Sequence, residues 1–214
     1  RDFKLASKVD LSHCTLEVVS PDGTAYDVKH TAVDTGYAPA EGFWKAKFTT
    51  SDPGIYMVLH SLDQVMHYAP VRAVKSAKTL FVASHSLDRV EKDLAGFDRI
   101  RGHALEIVPI VNPVMPMGPG REIAVRVIYK GKPLSNAKVS FIPRGTELRP
   151  GTDPNFERTT DDAGEARFTP KTGNTCLIVA HRVEPDESGE GYESTKYSAT
   201  LTVFVPDLCT CCLE

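Results

Sequence analysis

Between Arg121 and Pro170 the chain repeats its apolar residues every second position, and glycine or proline cuts the repeat at short intervals. Ile123, Val125, Val127 and Tyr129 alternate with Ala124, Arg126, Ile128 and Lys130. A period of two belongs to a strand with one buried face, not to a helix. Lys130-Gly131-Lys132-Pro133 interrupts the run. Gly131 accepts a positive φ, and Pro133 has no N–H to give to a ladder. Ala137, Val139 and Phe141 resume the alternation until Pro143. Asp161-Asp162-Ala163-Gly164 is a second turn signal, followed by a short strand ending near Phe168. The pattern predicts a small antiparallel β-sandwich.

The rest of the chain reads the same way. Cys14 to Val19 is a strand, Pro21-Asp22-Gly23-Thr24 a turn, and Tyr26 to Thr31 the returning strand. Residues 32–42 read as a loop before Phe43 to Phe48, which alternates again. Further strands are expected at Ile55 to His60, Val65 to Val71, Thr79 to Ala83 and His103 to Pro109. Only residues 86–98 favour a helix: Leu87, Val90, Leu94 and Phe97 fall at helical spacing behind Ser86 as N-cap. Residues 112–120, NPVMPMGPG, are too rich in proline and glycine for a helix or a central strand, and they read as a linker. Beyond the linker, Thr175 to His181 and Tyr197 to Val205 are strands around an acidic loop at 183–194. The expected organisation is all-β, with two antiparallel β-sandwich domains of the immunoglobulin-like or transthyretin-like kind and one short helix. The first spans 1–111, the linker 112–120, the second 121–206, and a cysteine-rich tail 207–214.

Charge and composition exclude several functions. The formal net charge is −3, with no basic run and no RNA-binding aromatic pattern, so no nucleic-acid partner is expected. No apolar run reaches the ~20 residues of a membrane-spanning helix. The chain starts at Arg1 rather than Met, as expected of a processed mature chain or of an excised piece, with any signal peptide already removed. Its five cysteines are an odd number for a fully paired secreted protein.

Several side chains are candidate ligands. If 55–60 and 65–70 form a hairpin closed near Leu62-Asp63, His60 and His67 become diagonal neighbours on one face, roughly 7–8 Å apart at Cα. Two such imidazoles suit Zn, Ni or Cu, with His85 or His103 as a third ligand; the alternative is a solvated strand face. Met57, Leu59 and Met66 then fall on the opposite face as core. Cys209, Cys211 and Cys212 offer thiolates to Cu(I), Zn or Ni. They equally suit interchain disulfides, a bond to Cys14 or Cys176, or a tail of free thiols. Asp161, Asp162 and Glu165, or Glu184, Asp186, Glu187 and Glu190, carry Ca²⁺-type oxygens but lack the spacing of a calcium loop and read as a turn and a solvated loop. Met115 and Met117 are either exposed copper ligands or hinge packing. There is no GxSxG, HExxH or P-loop, and no spacing implies a triad, so no enzyme is expected.

The run Gly102-His103-Ala104-Leu105-Glu106-Ile107-Val108-Pro109, Asn112-Pro113, Gly131-Lys132-Pro133-Leu134, and Gly191-Tyr192 leading into Thr195 to Leu201 resemble a family. It is a bacterial group of secreted proteins often labelled periplasmic components of nickel or cobalt uptake. The second half also resembles transthyretin-like and carboxypeptidase-regulatory-like modules, which are mostly binding or spacer domains. The resemblance implies handling of Ni, Co or Cu and membrane transporter components as partners. Members of the group commonly begin with a histidine before an acidic residue, whereas this sequence begins Arg1-Asp2-Phe3-Lys4, so a terminal histidine ligand does not carry over. Two other readings stand beside metal binding. One is a cell-surface or filament subunit that assembles as a homo-oligomer or polymer through strand edges or the cysteine tail. The other is a carbohydrate- or protein-binding module using Tyr37, Trp44, Tyr56 and Tyr68.

Overall fold

Uninterrupted alternation becomes strand. In a computed structural model of the chain, which describes residues 10–35, 43–66, 68–86 and 94–208, every long regular element is β. The strands are β1 (Cys14–Val19), β2 (Ala25–Asp27), β3 (Val33–Asp34), β4 (Trp44–Lys45), β5 (Gly54–Val65), β6 (Val71–Ala83) and β7 (Leu105–Pro109). They continue as β8 (Ile123–Tyr129), β9 (Lys132–Pro133), β10 (Lys138–Pro143), β11 (Glu157–Thr159), β12 (Glu165–Phe168), β13 (Asn174–Glu184) and β14 (Ser194–Val205). One 3-10 turn covers Lys29–Thr31, and the described residues include no α-helix. No helix among them is long and apolar enough to cross a membrane.

An eight-stranded sheet runs in the order β11-β10-β13-β14-β6-β5-β1-β2. A smaller sheet, β12-β8-β7 with β9 on β8, packs against its β10-β13-β14 half. The fold is therefore the all-β sandwich that the alternation predicts. All pairings are antiparallel except β14 with β6, which run parallel through nine register pairs from Ser194↔Val71 to Thr202↔Thr79. The expected boundary at 112–120 does not coincide with a break in pairing. β7 precedes that stretch and β8 follows it, yet the two pair from Leu105↔Tyr129 to Pro109↔Val125. Residues 112–120 form the loop between them, and Met117 is buried in the core at 1% exposure, which excludes it as an exposed ligand.

Four local expectations are corrected. No hairpin closes at Leu62-Asp63: β5 continues to Val65, and the turn lies beyond it, where the Met66 N–H reaches the Val71 carbonyl at 2.9 Å. Arg72 on β6 grips Asp63 on β5 through Nε and a terminal nitrogen, so these polar residues belong to the ladder. The strand expected at 26–31 stops at Asp27, whose carboxylate accepts the Lys29 N–H and turns the chain into the 3-10 segment. Of the strand expected at 43–48, only Trp44 and Lys45 pair. In the expected helix, residues 87–93 lie outside the described residues, and 94–98 are not helical. Gly96 there takes φ +93°, a left-handed conformation, with Arg99 packed against it.

The main core lies between the sheets. Phe141, Ile178 and Leu201 of the large sheet meet Ile107, Val125 and Val127 of the small one, all at 2% exposure or less. Each such side chain contributes about 1.5–3 kcal/mol by burial. A second cluster covers the opposite face of β1, β5 and β6, where Tyr56 stacks on Phe81 with centroids 5.2 Å apart. The turn before β12 depends on one glycine: at Gly164, φ +75°, a Cβ would meet the Val127 carbonyl oxygen at 2.8 Å.

Phe141→Ala is expected to cost about 3–5 kcal/mol in urea unfolding, because it opens a cavity against Phe168. Phe204→Ala, at a residue 67% exposed on β14, is expected to stay within about 0.5 kcal/mol of the parent.

Candidate functional site

The most polar point of the interior is Glu106 on β7. Its neighbours in sequence, Leu105, Ile107 and Val108, are all buried, and it is itself 1% exposed. A charge there survives only with partners. Lys78 on β6 supplies one, with Nζ donating to Oε1 at 2.7 Å. The backbone supplies three more: the N–H of Arg101 donates to Oε1 at 2.8 Å, and those of Gly102 and His103 to Oε2 at 2.9 and 3.2 Å. Burial opposes ionisation of Glu106, but the Lys78 ammonium and these donors outweigh it and hold the carboxyl below its ordinary range. Burial holds Lys78 below the ordinary lysine value. Next to them, the β7 backbone also receives Ser76, whose Oγ donates to the Leu105 carbonyl at 2.7 Å. Every acceptor direction of this carboxylate is engaged inside the protein. It fastens β6, β7 and the 101–103 turn together and has no lone pair turned toward a substrate.

His103 sits at the edge of this cluster. It is half-buried, and desolvation first, then Lys78 and Arg101, lower its pKa, against the opposite pull of Glu106. His60 lies on the other face of the large sheet. Alternation along β5 places it with Val58 and Leu62, and it stands opposite Leu16 on β1 and Ala77 on β6. It is half-buried, and burial followed by the Lys75 charge lowers its pKa. Among the described residues its ring makes no hydrogen bond. The same face carries His181 on β13, whose Nδ1 lies 2.8 Å from Ser198 Oγ, and Ser198 stands beside Lys75. Burial and Lys75 lower the pKa of His181 as well. His181 escaped the sequence reading, although its place in the alternating run Thr175 to His181 was the signal that put it on a sheet face.

The candidate ligands are therefore not brought together. His60 and His103 lie on opposite faces of the large sheet. His60 and His181 share a face but are three strand spacings apart, about 14 Å. His85 is exposed beyond the end of β6, eight residues along from the partner of His60. His67, Cys209, Cys211 and Cys212 lie outside the described residues, as does Tyr37. No group of three potential metal-ligating side chains occurs among the described residues. Cys14 and Cys176 are buried free thiols on strands separated by β5, β6 and β14.

Four of the acidic candidates, Asp161, Glu165, Glu184 and Glu187, are engaged internally. The Asp161 carboxylate accepts the N–H groups of Ala163 and Glu165, and Glu165 pairs with Arg126 and Arg167. Tyr197 Oη donates to the Glu187 carboxylate at 2.8 Å, and Glu184 pairs with Arg182. Of the aromatics, Tyr56 is fully buried, which removes it from any surface, while Tyr68 is 81% exposed.

A family model for a domain of unknown function, DUF4198, matches residues 2–184. The chain belongs to this family. The match takes in every strand from β1 to β13, and hence Lys78, His103, Glu106 and both sheet-face histidines; β14 and the cysteine tail follow it. A search of curated proteins finds no match. Among solved structures, the D0-D1 domain of Intimin is similar at 16% identity over 90% of this chain and 80% of that one, with a TM-score of 0.27. A superposition at that score carries no inference about function.

Lys78→Met leaves a buried, uncompensated Glu106 and is expected to cost about 3–5 kcal/mol by urea titration at pH 7. Glu106→Gln sets an NH2 donor against two of these donors and leaves Lys78 without its counter-charge, so a loss of similar size, about 3–5 kcal/mol, is expected. The histidines make a separate forecast. His60, His103 and His181 are held below 6.5 in the folded chain, so the unfolded chain takes up protons first. Stability is then flat above about pH 6.5 and falls as the pH drops toward the folded values. Urea midpoints between pH 8 and 5.5 should show that fall, and His60→Gln should make it shallower.

Proposed function

We propose that this DUF4198 chain is a non-enzymatic, extracytoplasmic protein that binds a transition metal ion, nickel, cobalt or copper, at its surface. The observation that carries this reading is the state of His60. A half-buried imidazole on an open sheet face, kept neutral by burial and by Lys75 and free of hydrogen bonds among the described residues, is in the form that ligates metal. No group of three candidate donors occurs among the described residues, so they do not complete a site. The remaining donors are assigned to the thiols of Cys209, Cys211 and Cys212; His67 follows the end of β5, roughly 20 Å along the strand from His60, and is not assigned to the same ion. The family resemblance supports the same metals and a transporter as partner.

Two features favour binding over catalysis and over assembly. The buried carboxylate of Glu106 is fully engaged by Lys78 and three N–H groups, which leaves it unsuited to proton transfer. The outer strands of the large sheet, β2 and β11, are three residues each, too short to template a long intermolecular ladder.

Elemental analysis of protein purified without chelators should find about one equivalent of Ni, Co or Cu. His60→Ala and removal of 209–214 should each lower that occupancy, and the double change should abolish it. Metal-free protein whose thermal stability is indifferent to added Ni²⁺, Co²⁺ and Cu²⁺ would sink the reading.

A further inference from the structure

One recess lies away from all of these residues. It is bounded by the β11 and β12 edges, the end of β10 and the start of β13, and has a volume of about 480 Å³. Its floor is apolar, while threonines and asparagines, among them Thr169, Thr172 and Asn174, add polar groups to the walls. Phe168 and Phe156 face each other with centroids 6.3 Å apart, and Cys176 and Val205 complete the floor. Phe168 also stacks on Phe141 of the main core at 5.2 Å and 18°, so this floor is tied to the rigid part of the sandwich. Burial pushes the Cys176 thiol up to about 12. It therefore stays protonated at neutral pH and behaves as a small apolar group.

The rim is cationic. The Arg158 guanidinium lies over the Phe168 ring at 5.8 Å, held there by donation to the carbonyls of Pro154 and Glu157 at 2.8 and 2.7 Å. Lys171 is exposed at the same mouth, with no ion pair among the described residues. None of the residues lining the recess is acidic, although acids outnumber bases 28 to 25 in the chain. An apolar floor beneath two cations, with the Asp207 carboxylate packed behind Gly173 and not lining the recess, is complementary to one chemical class.

We propose that this recess binds a small amphiphilic carboxylate, with its hydrocarbon or aromatic body on the phenylalanine floor and its carboxylate at the mouth beside Arg158 and Lys171. The volume suits a small ligand of this kind, since such sites span about 300–1,000 Å³. A rim cation adds affinity by charge-assisted hydrogen bonding, and the floor adds it by burying apolar surface. The site is independent of the metal reading and shares no residue with it.

Isothermal titration of the full chain with decanoate, with 4-phenylbutyrate and with the neutral 4-phenylbutyramide tests this. Saturable one-site binding of at least one carboxylate is expected, and the carboxylate that binds identifies the body as alkyl or aryl. The amide is expected to bind roughly tenfold more weakly than 4-phenylbutyrate if the aryl acid is the ligand. Amide-resonance shifts on adding ligand should centre on Thr169, Lys171, Thr172 and Asn174. Because Arg158 also holds three backbone carbonyls, those of Pro154, Asn155 and Glu157, Lys171→Glu is the deciding variant; it should leave the unfolding midpoint in place and remove carboxylate binding. No saturable binding of either acid at millimolar concentration, binding unchanged in Lys171→Glu, or shifts centred elsewhere would overturn the assignment.

Discussion

A carboxylate buried between two sheets is the constraint on which the rest of this molecule turns. Glu106 cannot remain charged at 1% exposure unless Lys78 and the 101–103 turn stay in place. Those partners come from two stretches, β6 in the large sheet and the turn preceding β7, while Glu106 itself belongs to β7 in the small sheet. The interaction therefore fixes the spacing of the two sheets at the point where apolar packing alone would allow them to slide. Hydrophobic contact is not directional, whereas a lysine and three N–H groups converging on two oxygens are. The net contribution of such a pair to stability is modest against an apolar replacement, and its larger effect is on uniqueness of arrangement.

Much of the strand content was legible because burial on one face leaves a period of two in the sequence. Ile123 to Tyr129 and Cys14 to Val19 match β8 and β1 at both ends for that reason. The signal failed where polar residues occupy a ladder. Ser61, Asp63 and Gln64 looked like a turn, but Asp63 is held by Arg72 across the β5-β6 ladder, and that cross-strand ion pair cannot be read from β5 alone. Strand partners were also hidden. Nothing in the local pattern of 71–79 or 194–202 announces that the two lie side by side, because pairing is settled by which edges the whole sheet leaves open.

The candidate site was legible to a smaller extent. His60 could be put on a strand face from its alternation, but its neighbours depended on the hairpin register, and the register moved when the turn shifted to 66–70. Glu106 did leave a mark, a single acid within Leu105 to Pro109, where every other residue is apolar. An isolated acid in an apolar strand demands a buried partner, yet sequence cannot say that Lys78, 28 positions earlier, provides it. The recess beside Phe168 left no mark, since its walls come from four separate segments.

The parallel pairing of β14 with β6 has a consequence for folding. The partners are 123 positions apart, and β14 is the last strand of the fold. β5 and β6 are neighbours in sequence and can pair early in folding, but the other side of β6 has no partner until β14, 123 positions on, arrives. Until then it presents an open row of amides and carbonyls, the kind of edge that invites pairing with a second partly folded copy. Such long-range closure also slows folding, because the loop entropy is spent before the contact is made. β14 thus works as a latch: the central sheet closes only when this strand docks beside β6.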